Sequence, residues 1–432
     1  MNISIKGGSQ KIKGEVVVQG DKVAATHILY FSLLLDITIR IENFPFTLEL
    51  TNIVNEIKRN NLSKVECVEG DALLVCSQNK TFYDLSCLNF NRSSICLVSA
   101  IANRNGIAFF KEVGGCNFTY RPIDGHLGLI EAFGFKIEQM NDGFIVKPNK
   151  ANIQPNKLFE FDCLVKGIPS IGITCHAIIG FVYSKHKFLL LKNIAVEPTI
   201  SCLLELIVEI FGFYIEFNRL DRTIRIEKKV FTMSKTIIKS TIPSDFSYLC
   251  TFLGLGIAVD NFNILFSPVT EIPDWLVTLF NKLKLKWKIE GKLLNVIGQN
   301  LTPIEKLICS PWPGIPSDVG PILFSSFLGF DGKFILIDEI YDERSSHISE
   351  LKEMGFNVSS RKNKVNKEDN NHLIKKMAVV TAKDIRCGAS LMIASMIGKE
   401  RTTQILNYEQ ILRGYNFLEL NFNNLDIDYT IE

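Results

Sequence analysis

Leu203-Leu204-Glu205-Leu206-Ile207-Val208-Glu209-Ile210-Phe211-Gly212-Phe213-Tyr214-Ile215-Glu216 is the stretch on which the fold turns. A periodic apolar run stops at a glycine, and an aromatic, β-branched run follows it. Glycine just past such a run is a helix C-cap signal, because it enters the left-handed region without a Cβ clash. The segment after it has strand composition. The same order recurs at Leu127 to Phe133 before Gly134-Phe135-Lys136-Ile137-Glu138, and at His347 to Met354 before Gly355-Phe356-Asn357-Val358.

Working outward, each helix–Gly–strand is preceded by another β-rich run ending in a turn. The instances begin at Ile39, Ile107, Phe188, Phe262, Phe334 and Thr403. They lie roughly 70 residues apart, which gives about six units, and self-similarity at a fixed period marks repeated supersecondary structure. Helical stretches stand before several of them, as at Ala24 to Leu35, Arg92 to Ala102 and Cys387 to Ile397. Each unit therefore reads as strand, helix, strand, helix and hairpin, an α/β arrangement. The basic stretch from Lys228 to Lys235 near the middle is the candidate linker.

The chain has 432 residues, 47% of them apolar, so it can build one very large or two ordinary domains. Its net charge of +2, without long like-charge blocks, gives no reason to expect a nucleic-acid partner. The eleven cysteines include no C-x-x-C pair and mostly sit in apolar runs, as expected of reduced, buried thiols in a cytoplasmic protein. Six histidines at non-ligand spacings argue against zinc. No apolar run reaches the roughly 18 to 20 residues that span a bilayer. A cytoplasmic protein without membrane contact is expected.

Polar residues that could do chemistry sit at element ends. Gly114-Gly115-Cys116 leads to Arg121-Pro122-Ile123-Asp124-Gly125-His126, a glycine-started loop carrying a thiol and a guanidinium. Lys22, Arg92 and Arg386 open helices, Asp318 lies in a Pro/Gly turn, Arg344 follows a strand, and Arg413 precedes Gly414-Tyr415. Helix starts favour anions, since free N–H groups and the dipole point there. A small ligand with a phosphate and a carboxylate would need several of these cations together, each charge-assisted bond contributing about 1.5–3 kcal/mol.

These residues make the chain resemble the enolpyruvyl transferase superfamily along essentially its whole length, and most of all the branch that acts on UDP-N-acetylglucosamine in peptidoglycan synthesis. The motifs are Gly20-Asp21-Lys22, Gly114-Gly115-Cys116 through Asp124, Ile315-Pro316-Ser317-Asp318, Glu343-Arg344-Ser345-Ser346-His347, Asp384-Ile385-Arg386-Cys387-Gly388 and Arg413-Gly414-Tyr415. The resemblance implies a two-domain inside-out α/β barrel, each domain made of three βαβαββ repeats, with the active site in the cleft between them. Residues 22–230 would form one domain, and 1–21 with 231–432 the other. Phosphoenolpyruvate would be held by Lys22, Arg121 and Arg413 at its phosphate and by Arg344 and Arg386 at its carboxylate. Cys116 would be the general acid and Asp318 the base. Arg92, Arg121, Pro122, Ile123, Asp124, Gly125, Val165, Gly167, Asp318 and Ile340 match positions around the uridine nucleotide-sugar. The enzyme would work as a monomer or weak homo-oligomer, and its addition–elimination calls for no metal or redox cofactor.

The family pattern is altered on the acceptor side. Val23 replaces an asparagine, Cys163-Leu164-Val165-Lys166-Gly167 replaces Lys-x-Ser-Val-Gly, and Thr199 replaces a glutamate after Glu197-Pro198. Another acceptor, such as UMP or shikimate 3-phosphate, stays open beside the UDP-sugar. So does a relative that binds nucleotide without turnover.

Overall fold

Helices that are apolar on every side have to be buried, and such helices form the interior of each of two units. The computed structural model describes residues 1–8, 11–76, 92–111, 122–149, 156–230, 236–369 and 374–432. Among these, one unit comprises Met1–Gln19 with Ser244–Glu432, here the terminal unit; the other, the middle unit, lies between Gly20 and Pro243.

In the terminal unit the helices Phe246–Val259, Gly320–Ser326 and Ile385–Ser395 are buried almost end to end. Gly254 allows the first to approach the second, because a Cβ there would stand 2.5 Å from the Ser326 hydroxyl. Each sheet around them repeats one plan. In one, Ile12–Val17 lies parallel to Asn261–Ser267, which pairs antiparallel with Leu293–Gln299 and so with Lys286–Glu290. In the next, Lys306–Cys309 lies parallel to Phe334–Asp338, followed by Lys364–Lys367 and Val358–Arg361. The last joins both chain ends: Met377–Thr381 lies parallel to Thr402–Leu406, which pairs with Ile3–Lys6 and then Tyr429–Ile431.

The middle unit follows the same plan around the helices Lys22–Ser32, Val98–Asn105 and Ile171–Tyr183. Leu158–Asp162 lies parallel to Phe188–Lys192, with Thr223–Glu227 and Tyr214–Asn218 beyond. Thr38–Glu42 pairs with Ala72–Cys76, and Ala108–Phe110 with Gly143–Pro148. The expected α/β repeats are present. Gly212, at φ +58°, ends the helix Pro198–Phe211 as its sequence required.

One boundary differs. The strand Ile237–Thr241 lies parallel to Thr38–Glu42 and belongs to the middle unit, so that unit ends at Pro243 rather than near Val230. The signal taken for a linker was charge and low glycine content, whereas a strand partner some 200 residues upstream decides the matter. Residues 231–235 of that stretch lie outside the described residues.

Candidate functional site

The terminal unit gathers its candidate residues into one knot. Asp384 caps the helix Ile385–Ser395 by accepting from the N–H groups of Arg386 and Cys387, both at 2.9 Å, which fixes Arg386 in the first turn. Asp318 follows Ser317 in the turn that leads into Gly320–Ser326. Arg344 follows Glu343, whose φ is +63°. Arg386 donates from Nε and Nη2 to Asp318 Oδ2 at 3.1 and 2.8 Å. Arg344 Nη2 lies 2.6 Å from Asp318 Oδ1. A single carboxylate thus bridges two guanidiniums.

Both guanidiniums have further supports. Arg344 Nη1 donates to Ser317 Oγ at 2.9 Å, and Ser317 Oγ donates to Asp338. Asp338 also accepts from the N–H groups of Ile340 and Tyr341, at 2.9 and 3.1 Å. Arg386 Nη1 donates to Tyr415 Oη at 3.3 Å, and that hydroxyl is hydrogen-bonded to Thr251 Oγ1 at 2.6 Å. The cations are nearly covered, their side chains 7% and 11% exposed, whereas Asp318 is 41% exposed. Burial pushes the Asp318 carboxyl up, but the two guanidiniums overcome it and hold the group far below the ordinary carboxylate range. Burial pulls Arg386 down, and Asp318 more than reverses that. Two guanidiniums held in this way could pair with an anion, as they do with Asp318. Arg413 follows Tyr408–Leu412 and donates to Gln410 Oε1 at 2.9 Å.

In the middle unit the described candidates have these contacts. Asp21 accepts from Ala24 N–H at 2.7 Å and so puts Lys22 first in its helix. Lys22 Nζ is 3.2 Å from Glu49. Arg92 opens the 3-10 turn Arg92–Leu97 and donates to the Pro122 carbonyl at 2.6 Å, tying down the segment that runs into Asp124–Ala132. Ile123 supplies the carbonyl that receives the N–H groups of His126 and Leu127. Val165 pairs with Ile168 across a turn where Lys166 and Gly167 have positive φ. Gly125 sits against this hairpin: a Cβ on it would lie 3.1 Å from Ile173 Cδ1 and 3.3 Å from Val165 Cγ2. Gly125 and Val165 are therefore neighbours, in an apolar wall. Cys116 and Arg121 lie outside the described residues.

Sequence reasoning missed two things. One is the pair of supports, Ser317–Asp338 and Thr251–Tyr415. The other is a buried chain in the middle unit, where His126 Nδ1 lies 2.9 Å from His176 Nδ1 and His176 Nε2 lies 2.8 Å from Ser99 Oγ. Burial keeps both imidazoles neutral, lowering His176 to about 3 and His126 well below its usual value, the latter also depressed by His176 and Arg92. The offset from His126 to His176 is too long for any local motif to show.

The repeated α/β units are those of the enolpyruvyl transferase fold. Residues 6–420 match the family described as EPSP synthase (3-phosphoshikimate 1-carboxyvinyltransferase), and the chain belongs to that family and is an enolpyruvyl transferase. It is 26% identical over 429 residues to UDP-N-acetylglucosamine 1-carboxyvinyltransferase 1 of Streptococcus agalactiae, covering 99% of this chain and 98% of the relative. It is 28% identical to the UDP-N-acetylglucosamine 1-carboxyvinyltransferase of Endomicrobium trichonymphae, covering 99% of each. Among solved structures, the enolpyruvyl transferase NikO from Streptomyces tendae superposes with a TM-score of 0.84 at 17% identity, over 99% of this chain and 98% of that one. An EPSP synthase from Acinetobacter baumannii gives 0.71 at 14% identity over the whole of both chains. These two likenesses establish the fold. Among the described residues, no helix is long and apolar enough to cross a membrane.

Proposed function

We propose that the enzyme transfers the enolpyruvyl group of phosphoenolpyruvate to the 3-hydroxyl of UDP-N-acetylglucosamine and releases phosphate, in the cytoplasm, as a step of peptidoglycan synthesis. The observation that carries this reading is the Arg344–Asp318–Arg386 bridge, a cation pair of carboxylate-binding geometry with a carboxylate beside it. The curated relatives that match this chain end to end support the acceptor.

Arg344 and Arg386 take the carboxylate of phosphoenolpyruvate, since a guanidinium fork matches its two oxygens. Lys22, Arg121 and Arg413 take its phosphate. Asp318 removes the proton of the attacking hydroxyl as oxygen bonds to the substituted carbon, and Cys116 delivers a proton to the methylene carbon. The resulting tetrahedral species bears phosphate and carboxylate on one carbon, a charge that fixed cations stabilise. Loss of a methyl proton and of phosphate restores the double bond and gives the enol ether. Arg92, Arg121, Pro122, Ile123, Asp124, Gly125, Val165, Gly167 and Ile340 hold the nucleotide.

A second reading, transfer to another acceptor, is favoured by the apolar contact of Val165 and Ile173 over Gly125 and by Val23 and Thr199. Phosphate release from phosphoenolpyruvate is measured with UDP-N-acetylglucosamine, UMP and shikimate 3-phosphate in turn. Release with the first alone is expected. Release with another alone moves the acceptor, and silence with all three overturns both readings.

A further inference from the structure

The Asp318 carboxylate lies over two guanidiniums that are themselves almost covered, and it accepts from three of their nitrogens. Those N–H groups are the ones an incoming carboxylate would use. A buried cation stripped of its partner is costly, so the arginines need an anion at all times. Asp318 is the most exposed of the three. A base clamped by two cations is also a poor proton acceptor.

We propose that Asp318 is the resident occupant of the ligand's carboxylate site, an internal competitor that phosphoenolpyruvate displaces and that becomes available as a base only when displaced. The idea rests on the transferase reading above. It goes further by making one residue both inhibitor and base, so that proton abstraction from the acceptor waits for the donor substrate. The exchange trades one carboxylate for another at the guanidiniums. Because Asp318 has to be displaced first, the ligand's carboxylate adds less to the net affinity than its new contacts alone would give.

The test is calorimetric titration of the full chain with phosphoenolpyruvate, without acceptor, in the wild type, Asp318→Asn and Asp318→Ala, with thermal melts to show that each variant is folded. Removing the competitor should tighten binding at least about tenfold, the effect of one charge-assisted bond. Pyruvate, which has the carboxylate without the phosphate, should gain at least as much. In an Arg386→Ala background the gain from Asp318→Asn should shrink, since the two effects act through one contact. A residue that merely props the arginines in place predicts the opposite sign, weaker binding in the Asp318 variants. Equal or weaker binding of both ligands in both variants, while the wild-type protein releases phosphate from phosphoenolpyruvate in the presence of an acceptor, overturns this proposal and leaves the transferase reading standing. No heat with phosphoenolpyruvate in any protein, with or without UDP-N-acetylglucosamine, overturns both.

Discussion

Two halves built on one plan have arranged their polar residues in opposite ways. In the terminal unit, side chains from two loops and one helix start lock onto one another through Asp318, and each guanidinium has its own hydroxyl support. In the middle unit, Lys22 and Arg92 are each tied to a different group, and the polar density lies inside, in the His126–His176–Ser99 chain under the Asp124–Ala132 helix. The terminal unit offers two guanidiniums already held around one carboxylate. The middle unit offers backbone and an apolar wall, shaped from below. On the proposed reading, the terminal unit takes the carboxylate of the donor, while the middle unit supplies Lys22 and Arg121 to its phosphate and most of the residues that select the acceptor.

The largest effect should come from breaking the knot at its centre. Asp318→Asn is expected to cut turnover by a factor on the order of 100 or more, as loss of a general base does, measured as phosphate release at saturating substrates. Arg386→Ala should raise the KM for phosphoenolpyruvate by roughly 10- to 100-fold, the loss of one or two charge-assisted bonds. It should leave the acceptor KM within a few-fold, and an equal rise in both would dissolve the contrast between the halves.

A thiol experiment sharpens the same contrast. An epoxide phosphonate should alkylate Cys116, and Cys116→Asp should escape. Burial pushes the Cys96, Cys163 and Cys387 thiols up to about 12, so they should not compete, although Cys67 is exposed and serves as the internal control. An adduct on Cys67 in place of Cys116 would remove the assigned acid.

Acid should weaken the histidine chain. His176 is held at about 3 in the fold against an ordinary 6.5, so the unfolded chain binds more protons between those values and stability falls as pH drops through that window. His126 is depressed in the same direction. Melts from pH 7 to 4 should show the slope, and His176→Gln should flatten it. The smallest effect is expected of Gly125→Ala, whose new methyl meets Ile173 and Val165 at 3.1 and 3.3 Å. Its melting temperature should move little and its acceptor KM should rise a few-fold, while the KM for phosphoenolpyruvate stays put.

The repeats were legible because their signals are local: Gly212 ends a helix within its own segment, and Phe188–Lys192 alternates on its own face. The parallel edge strands were not, since Ile237–Thr241 has ordinary composition and acquires meaning from Thr38–Glu42. Asp318, Arg344 and Arg386 could be named one at a time from motifs, but their meeting depends on two loops and a helix start brought together by packing. Tyr415 was quoted within a motif without its role, which exists only through Thr251 and Arg386. The histidine chain was hidden for the same reason.

The exchange of edge strands sets a timetable for the ribosome. Ile12–Val17 is made early yet finds its parallel neighbour only when Asn261–Ser267 has emerged, and Thr38–Glu42 must wait for Ile237–Thr241. Ile3–Lys6 waits longer still, for Tyr429–Ile431. A gene cut anywhere between those partners yields fragments with unsatisfied sheet margins, so the two halves must be inherited, synthesised and folded as one message.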